Sequence, residues 1–216
     1  MAFTFTPAVR GLYLDCEQLR QRNNQVFLIF RLDNNDATLR AMWDAPYAEA
    51  HENWFAHGEA MYQPADKMQT VGVQAQLLNE KGKPVPGKQG VLKGTKLAVA
   101  ERQGGGHAEE FFLQHLMAYS NTNTNPAEID LYISRIPCAE TSMAWQFTYQ
   151  GNQYALPAGC GPKLYFVMQA LNGIQWNLAF GEGYPNQQLQ AKCLAWVDKI
   201  NTLPNAAAHH ISNYLP

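Results

Sequence analysis

Read for its alternation of apolar and polar positions, the chain breaks into short runs of β-formers and longer stretches of helical period. Residues 25–32 (QVFLIFRL) form a continuous apolar run rich in β-formers and predict a strand. Asp33-Asn34-Asn35-Asp36 then turns the chain, and Asp36 is placed to cap a helix running through Trp43. Pro46 interrupts, after which residues 47–62 return to a helical pattern. Polar composition around Pro64 predicts a joint there. Residues 71–78 alternate as a strand, 81–94 read as a lysine, glycine and proline loop, and 95–100 as the second strand of a hairpin. Gly104-Gly105-Gly106 then hands over to a buried helix from His107 to about Tyr119.

Downstream, residues 128–136 (EIDLYISRI) predict a strand ending at Pro137-Cys138. Residues 145–149 and 153–156, around Gly151-Asn152, read as a β-hairpin. A helix over 161–171 carries Pro162 in its first turn, where a missing N–H costs nothing. A strand over 174–180, an amphipathic helix over 186–200 and a weakly structured tail over 205–216 complete the chain. From residue 70 the order is β-β-α-β-α-β-α, an α/β fold with helices packed on a mixed sheet. The expected organisation is an N-terminal α+β appendage over 1–66, a main domain over 67–204 and the tail.

Composition narrows the class. The 216 residues are 16% charged, below the usual ~25%, and no apolar run approaches a membrane span. The first residues carry neither a basic n-region nor an apolar h-region, so the expectation is a soluble, cytoplasmic protein, or one exported without a cleavable signal. A domain cut from something longer fits equally. Cys16, Cys138, Cys160 and Cys193 are too few and scattered for a disulfide framework, which makes reduced thiols the default. Net charge is −2, yet residues 67–102 hold 7 basic and 2 acidic side chains. That block (Lys67, Lys81, Lys83, Lys88, Lys93, Lys96, Arg102) reads equally as a solvated face or a polyanion-binding strip.

The chemistry concentrates at three residues. A hydrolytic metal site needs three protein ligands and an open position for water, and His and Cys are suitable donors. His107 at a helix start and Cys138 at a strand end are two such ligands, 31 positions apart, with Glu109 beside them as a proton carrier. The other histidine pair, His51 and His57 in H-E-N-W-F-A-H, does not match H-E-x-x-H, and both read as ordinary helix residues. Glu110 reads as a solvated neighbour of Glu109, His115 as a satisfied core histidine, and Cys16 and Cys193 as small buried hydrophobes. The bland alternative makes Cys138 and Cys160 buried hydrophobes too.

At this point the chain resembles the zinc-dependent cytidine and nucleobase deaminases, whose signature is H-x-E followed by P-C-x-x-C. His107-Ala108-Glu109 matches the first half, Pro137-Cys138 the second, and Leu131-Tyr132-Ile133-Ser134-Arg135-Ile136 looks like the strand leading into it. The likeness covers residues 70 to 200. One departure matters: three positions after Cys138, where the family has its second cysteine, stands Thr141. Cys160, at the start of the next helix, can replace it, because the intervening 21 residues read as a hairpin that returns the chain to where it left. The resemblance then implies a zinc site of His107, Cys138 and Cys160, with Glu109 carrying protons in the hydrolytic deamination of cytosine.

Within such a family the substrate could be DNA, RNA or free nucleoside. The basic block, the aromatic hairpin residues Trp145, Phe147 and Tyr149, and a turn tyrosine, Tyr184, lean towards nucleic acid, single-stranded DNA above all. Ser134 and Arg135, next to the cysteine motif, join Trp145 and Tyr184 as candidate substrate contacts. The motif style also resembles bacterial toxin deaminases, which implies an immunity protein as partner. A nucleoside deaminase and a catalytically dead binding relative stay open as alternatives.

Overall fold

The computed structural model describes residues 3, 5–23, 26–44, 59–61, 76–78, 84–89, 107–120, 124–142 and 144–214. Its helices are α1 (Pro7–Asn23), α2 (Ala108–Ser120), α3 (Cys160–Ala170) and α4 (Gln187–Ile200). Strands are β1 (Phe27–Leu32), β2 (Asn35–Trp43), β3 (Glu59–Met61), β4 (Gln76–Leu78), β5 (Pro84–Gln89), β6 (Glu128–Arg135), β7 (Trp145–Tyr149), β8 (Asn152–Leu156), β9 (Gln175–Glu182) and β10 (Ala206–His210). Six of them form one mixed sheet in the order β10-β9-β6-β1-β2-β3, while β4-β5 and β7-β8 are separate hairpins. Strands β6, β9 and β10 run parallel, and β1 pairs antiparallel with both β6 and β2.

Both faces of this sheet are covered, and the period-two alternation of side chains sorts its residues between two cores. Leu28, Phe30, Ile129, Leu131, Ile133 and Leu178 face a core completed by Phe112 and Leu116 of α2, Leu164 and Met168 of α3 and Val197 of α4. Their neighbours Phe27, Ile29, Tyr132 and Ala179 face the other way, onto Val9, Leu12 and Cys16 of α1. The result is three layers, helix on sheet on helix. Burying each large apolar side chain contributes roughly 1.5–3 kcal/mol, which favours this register over any one-residue slip.

Several expectations are corrected. Residues 36–43 are not a helix but β2, because Asp33 (φ 53°) and Asn34 (φ 55°) adopt the left-handed two-residue loop that matches strand twist. The resulting ladder, Phe27 opposite Trp43 through Leu32 opposite Asn35, overrides the helix propensity of Ala37, Leu39, Arg40 and Met42. Residues 27–43 therefore lie inside the main sheet, where an appendage was expected. The presumed tail supplies β10, which extends the sheet beside β9, and Ile211, which packs under α1's face. Helix α1 has no counterpart among the expected elements. In the expected 71–100 hairpin, β4 pairs with β5, which lies inside the stretch read as a loop. Residues 95–100 and the expected helical residues 47–58 lie outside the described residues, while 59–61 are strand. The readings of α2, β6, the β7-β8 hairpin, α3, β9 and α4 agree with the structure to within about two residues.

Candidate metal centre

Three segments converge beyond the C-terminal end of β6. His107 immediately precedes α2, and its backbone N–H donates to Glu110 Oε2 at 3.1 Å, one half of a capping box. The next amide, Ala108 N–H, donates to Asp44 Oδ1 at 2.8 Å, so the end of β2 is tied to the start of α2. Cys138 follows β6, and Cys160 is the first residue of α3.

The β7-β8 hairpin brings the two cysteines together. Its two-residue loop, Gln150 (φ 48°) and Gly151 (φ 79°), reverses the chain, and β8 leads straight back to α3. On return, Gly159 N–H donates to Ser142 O at 2.9 Å and Gly161 N–H to Cys138 O at 2.9 Å. Cys160 N–H donates to Cys138 Sγ at 3.2 Å. Gly159 itself has φ 88° and lies so close to the Ala139 carbonyl that a β-carbon would have no room.

The donor atoms are arranged around one point. His107 Nδ1 lies 3.7 Å from Cys138 Sγ and 3.5 Å from Cys160 Sγ, and all three donor atoms fall within 4.8 Å of one another. Bonds of about 2.05 Å to nitrogen and 2.3 Å to sulfur, meeting at a tetrahedral angle, put N and S about 3.6 Å apart. The observed separations fit that geometry, so this buried His-Cys-Cys group could hold a metal ion. An overlapping set, Asp44, His107 and Glu109, also lies within 4.8 Å, but Asp44 is engaged as a helix cap.

The electrostatics fit ligation by sulfur. A hydrogen bond from Cys160, helped against burial by His107 and Thr141, holds the Cys138 thiol far below its usual range, at about 2. Burial and the Cys138 thiolate push Cys160 up. Burial would lower His107, but the hydrogen bond to Cys138 and the charges of Glu109 and Asp44 outweigh it and raise the imidazole to about 10. Holding an ion would require His107 neutral and both cysteines as thiolates, so binding would release protons. Glu109, only 3% exposed, is pushed up to about 8 by burial and then by Cys138, with His107 opposing. Its Oε2 is buried with no hydrogen-bond partner among the described residues. Burial likewise raises Asp44 to about 6.

Behind the donors lies a buried polar network that the sequence reading missed. Glu110 is 0% exposed rather than solvated, and Lys163 Nζ sits 3.0 Å from its Oε1. Lys163, 1% exposed, also donates to Ser142 Oγ at 2.7 Å, and Ser142 Oγ is 3.5 Å from Cys160 Sγ. One lysine therefore links the start of α2, the loop after Cys138 and the start of α3. The only advance signal was a lysine one turn into an otherwise apolar helix.

The remaining candidates divide. Ser134 is buried and its Oγ accepts the Phe27 N–H at 2.9 Å between strands, so it does not face a ligand. Trp145, Phe147 and Tyr149 point into the core rather than outward, following the in-out alternation of β7. They cannot stack bases as expected. Tyr184 is half-buried against the core, and Arg135 lies over its ring. Of the other cysteines, Cys16 and Cys193 are buried apolar residues as expected. His115 packs its ring 4.9 Å from that of Phe30. Among the residues of the basic block, only Lys88 falls within a described element, and the glycine loop before His107 lies outside the described residues. No described helix is long and apolar enough to cross a membrane. No model of a known protein family matches the chain, and no curated protein matches it.

Proposed function

We propose that the protein is a zinc-dependent deaminase converting cytosine to uracil, with nucleic acid, preferentially single-stranded DNA, as its substrate. The observation that carries this reading is the placement of His107 Nδ1 within 3.7 Å of both Cys138 Sγ and Cys160 Sγ, with Glu109 Oε2, buried and without a partner among the described residues, in an overlapping set that shares His107. Two sulfurs and one imidazole favour zinc over harder ions. Bound there, zinc would lower the pKa of a water to about 7.

The chain's own residues then supply the proton transfers. Glu109 Oε2 takes a proton from the attacking water and gives it to the ring nitrogen next to C4, and afterwards passes a proton to the departing amine. A C4–O bond forms, the C4–N bond breaks, and ammonia leaves. Burial raises the Glu109 carboxyl above its ordinary range, the direction that helps a carboxylate accept a proton from water. Lys163 and Glu110 hold the ligand segments in register and touch no substrate. Delivery as an interbacterial toxin with an immunity partner rests on resemblance alone.

A second reading, conversion of free cytidine, is favoured by the burial of Trp145, Phe147 and Tyr149, which removes the expected base-stacking platform. Incubating the protein with single-stranded DNA containing one cytosine, and separately with cytidine, and assaying for uracil or uridine decides between them. Elemental analysis should find about one zinc per chain, lost in Cys160→Ala, while Glu109→Ala keeps zinc and abolishes turnover. Zinc retained without Cys160, or turnover without Glu109, refutes the assignment.

A further inference from the structure

Open sheets bind ligands beyond the carboxyl ends of their parallel strands. Two of those ends belong to β6 and β9, whose final residues, Arg135 and Glu182, are register partners. Cys138 follows the first strand and Tyr184 the second. Tyr184 packs half-buried against the core where these strand ends meet.

Arg135 places its guanidinium 5.5 Å from the centre of the Tyr184 ring. Its side chain is 23% exposed, and its buried Nε has no hydrogen-bond partner among the described residues. Its one ion pair among them is a 3.9 Å contact with Glu182. That carboxylate is already taken. Arg20 grips Glu182 with two bonds of 2.9 and 2.8 Å and pairs with Glu17 as well. Two arginines thus compete for one acid, and the bidentate one wins. Among the described residues no other partner takes the donors of Arg135, and the ring beneath it fixes their direction.

The surroundings make such a cation useful. Asp44, Glu109 and Glu110 gather three carboxyl groups at the cluster, and Lys163 beside them is buried and committed to Glu110 and Ser142. Lys192, on α4, is taken by Glu140 at 2.9 and 3.1 Å. Among these described cations, Arg135 is the one left to meet an anionic group at the edge of the site.

We infer that Arg135, held on the ring of Tyr184, binds a phosphate group carried by the substrate, an assignment that rests on the deaminase reading of the neighbouring cluster. Tyr184 then serves as the platform for Arg135 rather than as a base-stacking surface. The phosphate could be the monoester of a nucleotide or the diester of a strand, and the same fork of donors suits either.

The test is binding to the full chain carrying Glu109→Ala, so that no ligand is consumed. Affinities are measured for deoxycytidine, deoxycytidine 5′-monophosphate and a single-stranded trinucleotide with a central cytosine. Phosphate should improve affinity about tenfold or more, as one charge-assisted pair does. A gain with the monophosphate indicates a monoester site, and a gain with the trinucleotide alone a diester site. Adding Arg135→Gln should bring the ratio of affinities to about one. Arg135→Lys, which keeps the charge without the fork, should retain only part of it. No phosphate gain, or a gain surviving Arg135→Gln, overturns the inference. Should the Gln variant fail to fold, an undiminished gain in Arg135→Lys overturns it instead. A phosphate gain with no deamination by the unmutated chain refutes the deaminase reading and leaves Arg135's role standing, whereas deamination without the gain does the reverse.

Discussion

Replacing Gly159 with alanine tests how the site is assembled. Gly159 has φ 88° and ψ 139°, a conformation that costs an L-residue about 1–3 kcal/mol. A β-carbon there would also overlap the carbonyl of Ala139 and come within 2.9 Å of Glu140 N. Those are backbone atoms of the loop that carries Cys138, with little freedom to yield. The combined cost should reach about 4 kcal/mol, which for a domain of this size lowers the melting temperature by roughly 8–16 °C. Because Gly159 N–H is bonded to Ser142 O, and Cys160 N–H to Cys138 Sγ, the displacement moves one ligand away from the other. Gly151→Ala is the control: φ is 79°, but nothing lies within 4 Å of the added carbon. It should cost only about 1–2 kcal/mol and leave metal binding intact. Thermal melts and zinc stoichiometry of the two variants decide the matter. If Gly159→Ala melts with Gly151→Ala and keeps its zinc, the close return of the hairpin is not what positions Cys160.

Two further perturbations probe the buried charges. In the metal-free chain Glu109 has its pKa raised from 4.5 to about 8, so between those pH values the folded state holds more protons than the unfolded. Glu109's own contribution to stability should therefore fall as pH rises through that window, by up to about 1.4 kcal/mol for each pH unit, while the lowered Cys138 thiol contributes in the opposite sense, and Glu109→Gln should remove the falling part of the slope. Equal slopes in denaturant titrations of the two proteins would contradict this. Lys163→Met leaves Glu110 buried without its cation and should cost about 3–5 kcal/mol, much of it recovered in the double variant with Glu110→Gln, which can still accept the His107 N–H. A double variant no more stable than Lys163→Met alone would show that the pair is not the source of the loss.

Much of the second half of the chain was legible from its pattern, for a physical reason. Helices α2, α3 and α4 and strands β6 and β9 each carry a strong periodic signal bounded by Gly, Pro or Asn, so local propensity and tertiary packing agree. The first half misled where they disagree. Ala37, Leu39, Arg40 and Met42 are good helix formers, yet they pair with β1 because the sheet needs a neighbour there. The hairpin signal lies in the left-handed Asp33-Asn34 loop, against which Asp36 offers a competing helix cap. Strand β10, Ala206 to His210, has no β-propensity worth the name and is a strand only because β9 offers an open edge. Glu110 and Lys163 were hidden for another reason. They stand 53 positions apart in the sequence, and only the fold makes them partners.

The same distinction bears on Thr141, which stands where the resemblance expects a ligand. Spacing in a sequence motif stands for spacing in space only while the intervening chain keeps its conformation. Here the chain between Cys138 and Cys160 is a closed hairpin whose ends meet through Gly159–Ser142 and Gly161–Cys138 bonds. The entropy of closing a loop grows only with the logarithm of its length, so a self-paired insertion adds little to the cost of bringing two ligands together. Thr141 is then free to take a different part. Thr141 is among the groups that lower the Cys138 thiol, so the position keeps its bearing on the site without supplying a donor to the ion.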